Sequence, residues 1–309
     1  MDDATPLRAA RVERVLFLQR QPCIRAMKYA VALRERHPAI ELGFAYQGKT
    51  LTGWNGAGDE LFARWWRLPL RGTDEAFERI VNDFAPDVVH SHNLPDVLTV
   101  MAARVLGDST PVVHDIHDLQ SLRRTPYEDG FADPQDPIRA EKEAIAAAGL
   151  SIDVYPNRDA RAYRELAART PGMTIHDTLA PAELLRRLPA YDVGWAAFNT
   201  GLNAAHLDTA LPNKAFEYLA SGLPVAAGRH KALKGLIREH GVGVVVDHPA
   251  ELPAALAAAG MDRLRARVAE RRHHFTVESN IDALVDLYRE CLGPEPEPLE
   301  AGRARVVAG

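Results

Sequence analysis

The stretch LPNKAFEYLASGLPV, Leu211 to Val225, decides the fold class. Pro212 suits a helix start, where its fixed φ is already right and its missing N–H is not needed. The spacing predicts a helix over Asn213–Ser221, closed by Gly222 as C-cap, and Gly222-Leu-Pro then turns the chain into a strand at Pro224–Ala226. A helix feeding directly into a short apolar strand is one unit of an α/β repeat, so the search moves outward for more of them.

They occur on both sides. Toward the carboxyl end a strand is expected at Gly243–Val246, with helices over Leu233–His240 and Pro249–Ala258; the pattern then becomes purely helical through Glu270 and from Val277 to Cys291. Toward the amino end, strands are expected at Asp192–Phe198, Met173–His176 and Ser151–Tyr155, separated by helices over Pro181–Leu188 and Arg158–Arg169. The first half shows the same rhythm: strands at Val15–Leu18, Ile40–Tyr46, Asp87–His90 and Pro111–Asp115, helices at Arg25–His37, Asp74–Asp83 and Leu94–Leu106. Continuous apolar strands alternating with amphipathic helices call for a parallel sheet covered on both faces, because a right-handed crossover places a helix between parallel neighbours. The expectation is an α/β chain of two doubly wound lobes, residues 1–148 and 149–292, with the Pro/Glu-rich stretch 293–309 disordered. Open parallel sheets bind ligands beyond the carboxyl ends of their strands, so two facing lobes would form a cleft with the chemistry at strand ends.

Composition narrows the function classes. At 309 residues the length fits two domains of roughly 150. Apolar residues at 47% and charged residues at 26% support a sizeable core. A net charge of −5, from 37 basic and 42 acidic residues, argues against sequence-independent nucleic-acid binding. Two cysteines, Cys23 and Cys291, supply neither a disulfide framework nor a cysteine metal site, which points to a reducing, cytoplasmic setting. The apolar run Val15–Leu18 is too short for a signal-peptide core, and no transmembrane segment is expected.

Two longer stretches carry a resemblance. Leu211–Asp247, LPNKAFEYLASGLPVAAGRHKALKGLIREHGVGVVVD, resembles the carboxyl lobe of GT-B glycosyltransferases, family 4 and its relatives especially. Asp87–Asp118, DVVHSHNLPDVLTVMAARVLGDSTPVVHDIHD, is similar to the central strand, helix and strand of their amino lobe. The resemblance implies two Rossmann-like lobes and an enzyme that moves a sugar from a nucleotide-sugar, UDP- or GDP-linked, to the hydroxyl of an unspecified acceptor with retention. It implies no separate cofactor and no metal. His90 and His92 in HSHNLPD invite a metal reading, but two histidines on one strand face need further ligands that the sequence does not show.

The resemblance also assigns residues. Glu217 matches a carboxylate that binds the ribose hydroxyls, a strong charge-assisted contact; the alternative is an ordinary early-helix Glu favoured by the dipole. Asn213 and Lys214 open the helix, where amides and dipole suit a diphosphate; a solvent-facing lysine is the other reading. Arg229 and Arg158 are further candidate donor cations. His117 in HDIHDL matches a histidine lining the donor sugar, oriented by Asp115 or Asp118, or else it caps a strand-end carbonyl. Asn93, Arg20 and Arg25 fall on the acceptor side, Asn93 as an acceptor or sugar contact or else as a turn-forming residue, the reading its residue type favours.

The chain departs from the pattern in three places. Thr209 stands where the family's first paired Glu belongs, which leaves neighbouring Asp208 as the candidate catalytic carboxylate. The first strand-to-helix loop, LQRQPCIRAMK, has no glycine, so a phosphate cannot approach its backbone as closely and Arg20 or Arg25 would have to serve. Between Glu141 and Ser151 the chain lacks a segment, with its two cations, that the resemblance implies, so the second lobe is expected to be incomplete and Arg158, Arg161, Lys214, Arg229 or Lys231 would have to offset the leaving-group charge. These departures support an alternative: a catalytically degenerate relative acting as a binding or partner subunit.

Overall fold

The computed structural model describes residues 11–48, 59–92, 96–116, 136–156, 160–197 and 204–294. Contacts divide the chain into two compact units, Met1–His117 with Asn280–Gly309, and Asp118–Ser279.

The first unit is a doubly wound sheet. Its elements are β1 (Arg14–Gln19), α1 (Ile24–Arg36), β2 (Glu41–Tyr46), β3 (Arg64–Arg67), α2 (Thr73–Phe84), β4 (Val88–His92), α3 (Val97–Leu106) and β5 (Val112–Asp115). The strand order is β3-β2-β1-β4-β5, all pairs parallel. Val15, Leu16, Phe17 and Leu18 of central β1 are all fully buried, which is why its sequence is an unbroken apolar run and not an alternating one. Leu16 and Leu18 face Phe77, Ile80 and Phe84 of α2 and Leu98 and Met101 of α3. Phe17 faces the other way, into an aromatic group with Phe44 and Phe62 that continues to Trp65 of β3, the Phe44 and Trp65 centroids 4.9 Å apart. Each such side chain contributes about 1.5–3 kcal/mol when withdrawn from water. The sequence reading passed over β3: RWWR is short, bounded by charge and outside the alternation of long strands and helices, and it is an edge strand.

The second unit contains α4 (Asp136–Ala147), β6 (Ile152–Val154), α5 (Ala160–Ala167), β7 (Met173–Ile175), α6 (Pro181–Arg187), β8 (Gly194–Trp195), α7 (Ala204–Leu207), α8 (Asn213–Ala220), β9 (Val225–Ala227), α9 (Lys231–His240), β10 (Gly243–Val245), α10 (Leu252–Ala259) and α11 (Met261–Arg271). Its strands form a parallel three-stranded sheet, β10-β9-β8, and a separate parallel pair, β6-β7. The expected strand at Asp192–Phe198 contracts to the two residues of β8.

The expected lobe division at 148/149 and the contacts differ at both ends. Helix α4, read from sequence as part of the amino lobe, packs on β6, β7 and the 3-10 turn Pro249–Glu251, all in the second unit. The last helix, α12 (Val277–Leu292), returns to the first unit from Asn280 onward: Tyr288 is fully buried there, its hydroxyl 2.6 Å from His90 Nδ1, and Asp282 pairs with Arg36 and His37 of the α1 end. The tail expected to be disordered lies, from residue 295, outside the described residues.

Helix α8 docks closely on β8 because of two glycines. An added Cβ on Gly194 would run into the ring of Tyr218, so only a residue without a side chain leaves room for that ring over the strand. Gly222 has φ +86°, and Leu223 N–H reaches back to the Tyr218 carbonyl at 2.9 Å, closing the helix as the sequence predicts. Gly194→Ala is expected to lower stability by about 1–3 kcal/mol, since the displaced ring belongs to a packed layer. The check is a lower urea midpoint with an unchanged slope.

Candidate functional site

Among the described residues, two groups of candidate functional side chains form, one in each unit. In the first, the strand ends of the central sheet carry an ionic and aromatic network. His90 and His92, two residues apart on β4, project to one face, where their rings stack at 4.4 Å with 17° between planes. Phe17 lies 5.5 Å from His92 and Tyr29 of α1 lies 5.7 Å from His90. Asp115, at the end of β5, meets Arg25 Nη1 at 3.2 Å through one oxygen and His92 Nδ1 at 3.3 Å through the other. Burial, reinforced by the Asp115 charge, pushes the Tyr29 hydroxyl up to about 12.

The structure places several of the residues named from sequence. Arg25, expected on the acceptor side, is paired with Asp115, and Asp115, expected with Asp118 as an alternative to orient His117, meets Arg25 and His92. His117 and Asn93 lie outside the described residues. Arg20 is exposed, and its carbonyl accepts from Gln47 N–H at 3.2 Å and from Gly48 N–H at 2.5 Å. The third metal-type ligand that the sequence did not show is present, since His90, His92 and Asp115 each bring one ligand atom within 4.8 Å of the others. Stacked imidazoles aim their in-plane lone pairs along nearly parallel lines, and Arg25 already engages the carboxylate, so the trio is built as a stacked ionic network.

In the second unit the candidate donor residues Asn213, Lys214 and Glu217 lie at the start of α8. Pro212 holds the N-cap position in extended geometry (φ −72°, ψ 137°), and Ala215 and Leu219 bury one side of the helix. Lys214 and Glu217, three apart, therefore share the opposite face. Lys214 Nζ donates to the Ala197 carbonyl just beyond β8 at 2.9 Å. Burial of the ammonium, then the like charge of Lys142, lowers its pKa to about 8, while Glu141 acts in the opposite sense. Asn213 is exposed at the helix start, and Glu217 is partly buried beside Tyr218, whose hydroxyl is raised to about 12 by burial and then by the Glu217 charge.

The other assigned donor-side residues are engaged elsewhere. Asp208 anchors the start of α9: its carboxylate meets Lys231 Nζ at 3.2 Å, Lys231 N–H at 3.3 Å and His230 Nδ1 at 3.5 Å. The hydrogen bond from Lys231 holds its carboxyl below the usual range. Thr209 donates to the His206 carbonyl at 2.8 Å. Arg229 pairs with Asp247, Arg161 pairs with Glu165, and Arg158 lies outside the described residues. What the sequence reading missed is the contribution of α4. Lys142 and Glu141 come to Lys214 through packing, and nothing in EKEAIAAAG marks two residues for that site.

Comparison with known proteins bears on this geometry. The family model for the C-terminal domain of glucosyltransferase 3-like proteins matches residues 150–274. No curated protein sequence matches the chain. Among solved structures, sucrose-phosphate synthase from Thermosynechococcus elongatus is similar at 12% identity and TM-score 0.57, over 90% of this chain and 98% of that one. HepE from Anabaena, solved in complex with UDP, matches at 10% identity and TM-score 0.56 over 89% and 98%. AviGT4, a glycosyltransferase involved in avilamycin A biosynthesis, matches at 16% identity and TM-score 0.54 over 93% and 98%. Among the described residues, no helix is long and apolar enough to cross a membrane. The chain has the α/β fold of the GT-B glycosyltransferases, built from Rossmann-like parallel sheets, and its residues 150–274 are similar to the C-terminal domain of glucosyltransferase 3-like proteins.

Proposed function

We propose that the chain is a glycosyltransferase that uses a nucleotide-sugar, UDP- or GDP-linked, and transfers the sugar with retention to an acceptor hydroxyl. The observation that carries this reading is the start of α8, where a partly buried cation, Lys214, and a partly buried carboxylate, Glu217, stand three residues apart. The helix dipole and Lys214 suit a diphosphate, and Glu217 suits paired ribose hydroxyls. In the reaction, negative charge grows on the leaving diphosphate, and a cation held at the helix start would stabilise that charge. A sequence with only two cysteines, Cys23 and Cys291, fits a reducing, cytoplasmic setting.

A second reading, a nucleotide-binding partner subunit without transferase activity, is favoured by Asp208. That carboxylate is committed to Lys231 and His230, not turned to a substrate. Calorimetry with UDP and GDP tests the shared premise, and failure of both to bind would remove both readings. Release of free sugar from a UDP- or GDP-sugar then separates them, being expected of the transferase alone. Glu217→Gln is expected to weaken nucleoside diphosphate binding about tenfold, the worth of one charge-assisted contact to a hydroxyl pair. An unchanged Kd would remove Glu217 from the ribose role.

A further inference from the structure

We infer that the outer face of α3 is a self-pairing surface, on which a second copy of this chain docks its own α3 antiparallel, about a twofold axis through Val100. The surface belongs to the first unit and its test involves no nucleotide, so it stands or falls apart from the donor reading of α8.

Helix α3, VLTVMAARVL, carries one charged residue in ten. Leu98, Met101, Ala102 and Leu106 pack into the core beneath it. A helix that covers a sheet on one side and meets water on the other needs a polar outer face. Its neighbour α2 has one, with Glu75, Glu78, Arg79, Asn82 and Asp83 at its exposed positions. The outward positions of α3 are instead Val97 and Val100, each 64% exposed, with Ala103 and Arg104. Neither contact with the core nor helix propensity accounts for two valines there, since Val is a poorer helix former than the Glu and Arg that α2 uses.

The stripe is self-complementary. With Val100 at the centre, Val97 and Ala103 lie three residues to either side, and Asp96 and Arg104 four residues to either side. At these spacings all five share one helix face. A second α3 turned through 180° lays Val100 on Val100, Val97 on Ala103 and Asp96 on Arg104, so apolar positions meet and each charge meets its opposite. Parallel alignment would set Asp96 on Asp96 and Arg104 on Arg104. Contacts that are reciprocal in this way are what a closed twofold dimer requires. Both charges remain accessible: Asp96 is 60% exposed, with His114 at 3.6 Å, and Arg104 is 65% exposed, beside Asp74 of α2. A guanidinium has five donors, enough to hold Asp74 and the carboxylate of the other copy together.

The strength of the association follows from its size. Ten helical residues span about 15 Å, which is short of the roughly 800 Å² per partner of a stable complex. The dimer is therefore of the weak, concentration-dependent class, with the apolar centre supplying affinity and the two charge pairs fixing the antiparallel direction.

Sedimentation equilibrium of the full chain from about 1 to 300 µM tests this, with thermal melts confirming that each variant is folded. The expected result is a weight-average mass that rises from one chain toward two, with a Kd on the order of 10–100 µM. Val100→Lys sets like charges on the axis and is expected to weaken association at least about tenfold. Asp96→Arg alone opposes arginine to arginine at both ends of the pair, and Arg104→Asp alone opposes aspartate to aspartate, so each is expected to be monomeric by itself. Mixed in equal amounts, the two variants form a heterodimer whose charge pairs are all complementary, and its Kd is expected within about threefold of the parent value. A parent chain that stays monomeric throughout, whether or not it binds phosphatidylcholine or phosphatidylglycerol vesicles, overturns the inference. Dimerisation that Val100→Lys leaves unchanged overturns it as well, by placing the interface elsewhere. A mixture that associates no better than either charge variant alone overturns the antiparallel pairing.

Discussion

Lys214→Met is expected to weaken nucleoside diphosphate binding by about a hundredfold while making the ligand-free protein more stable at neutral pH. The two effects have one cause. The Lys214 ammonium is held in a place where its charge is disfavoured, its pKa falling from 10.5 to about 8 through burial and the Lys142 charge. A shift of that size corresponds to at most about 3 kcal/mol of destabilisation of the charged form. Removing the ammonium also removes the hydrogen bond to the Ala197 carbonyl, worth about 1 kcal/mol, so a net gain of about 2 kcal/mol remains. Below pH 8 the group is charged both folded and unfolded, and the full penalty is present. Between about 8 and 10.5 the folded chain has released a proton that the unfolded chain still holds, and the penalty falls as pH rises. Above that window both forms are neutral and the variant's advantage vanishes. Urea denaturation at pH 7 and pH 10, with a UDP titration at pH 7, reads all of it. A variant that is destabilised at pH 7, or that binds UDP normally, contradicts the account.

The second large effect lies in the other unit. Tyr288→Ala is expected to cost about 3–5 kcal/mol, the range for emptying a fully buried aromatic site. Tyr288 is 0% exposed, its ring packs edge-on to His90 at 5.7 Å, and its hydroxyl shares a 2.6 Å hydrogen bond with that imidazole. Tyr288→Phe keeps the ring and loses only the hydrogen bond, so about 1 kcal/mol is expected. Because the end of α12 is part of the first unit, Tyr288→Ala should lower the melting transition that carries the β1–β5 sheet, resolved by amide hydrogen exchange in β1 and β4. An alanine variant with native protection in those strands would mean that α12 is not structurally coupled to them.

How much was legible in the sequence depends on how local each signal is. The run Val15–Leu18 announced a buried parallel strand because both of its faces are covered, and β1 is that strand. Pro212 and Gly222 announced the two ends of α8, because N-cap geometry and positive φ are requirements of single residues. The edge strand β3 was not legible, since four residues with charged ends satisfy no periodicity. Nor was the unit to which α4 belongs, because its order along the chain is the same whichever sheet it packs on.

The site divides in the same way. Lys214 and Glu217 were named from sequence through the family resemblance, and their spacing of three on α8 keeps them near one another whatever the rest of the chain does. Arg25, Arg229 and Asp208 looked equally available in sequence. Folding paired them with Asp115, Asp247 and the Lys231–His230 turn: Arg25 and Asp115 are partly buried, where a charge is stable only beside its opposite, whereas Arg229–Asp247 is an exposed surface pair. The sequence by itself determined the α/β class, most of the element order and the capped helix Asn213–Ala220, all products of short-range periodicity and backbone geometry. Only the tertiary structure decided that Lys142 and Glu141 come to Lys214, that Asp115 takes both Arg25 and His92, and that α12 closes on the first sheet. Those outcomes join residues remote in the chain, and what selects them is the long-range packing that buries each group and the charge balance that burial then demands.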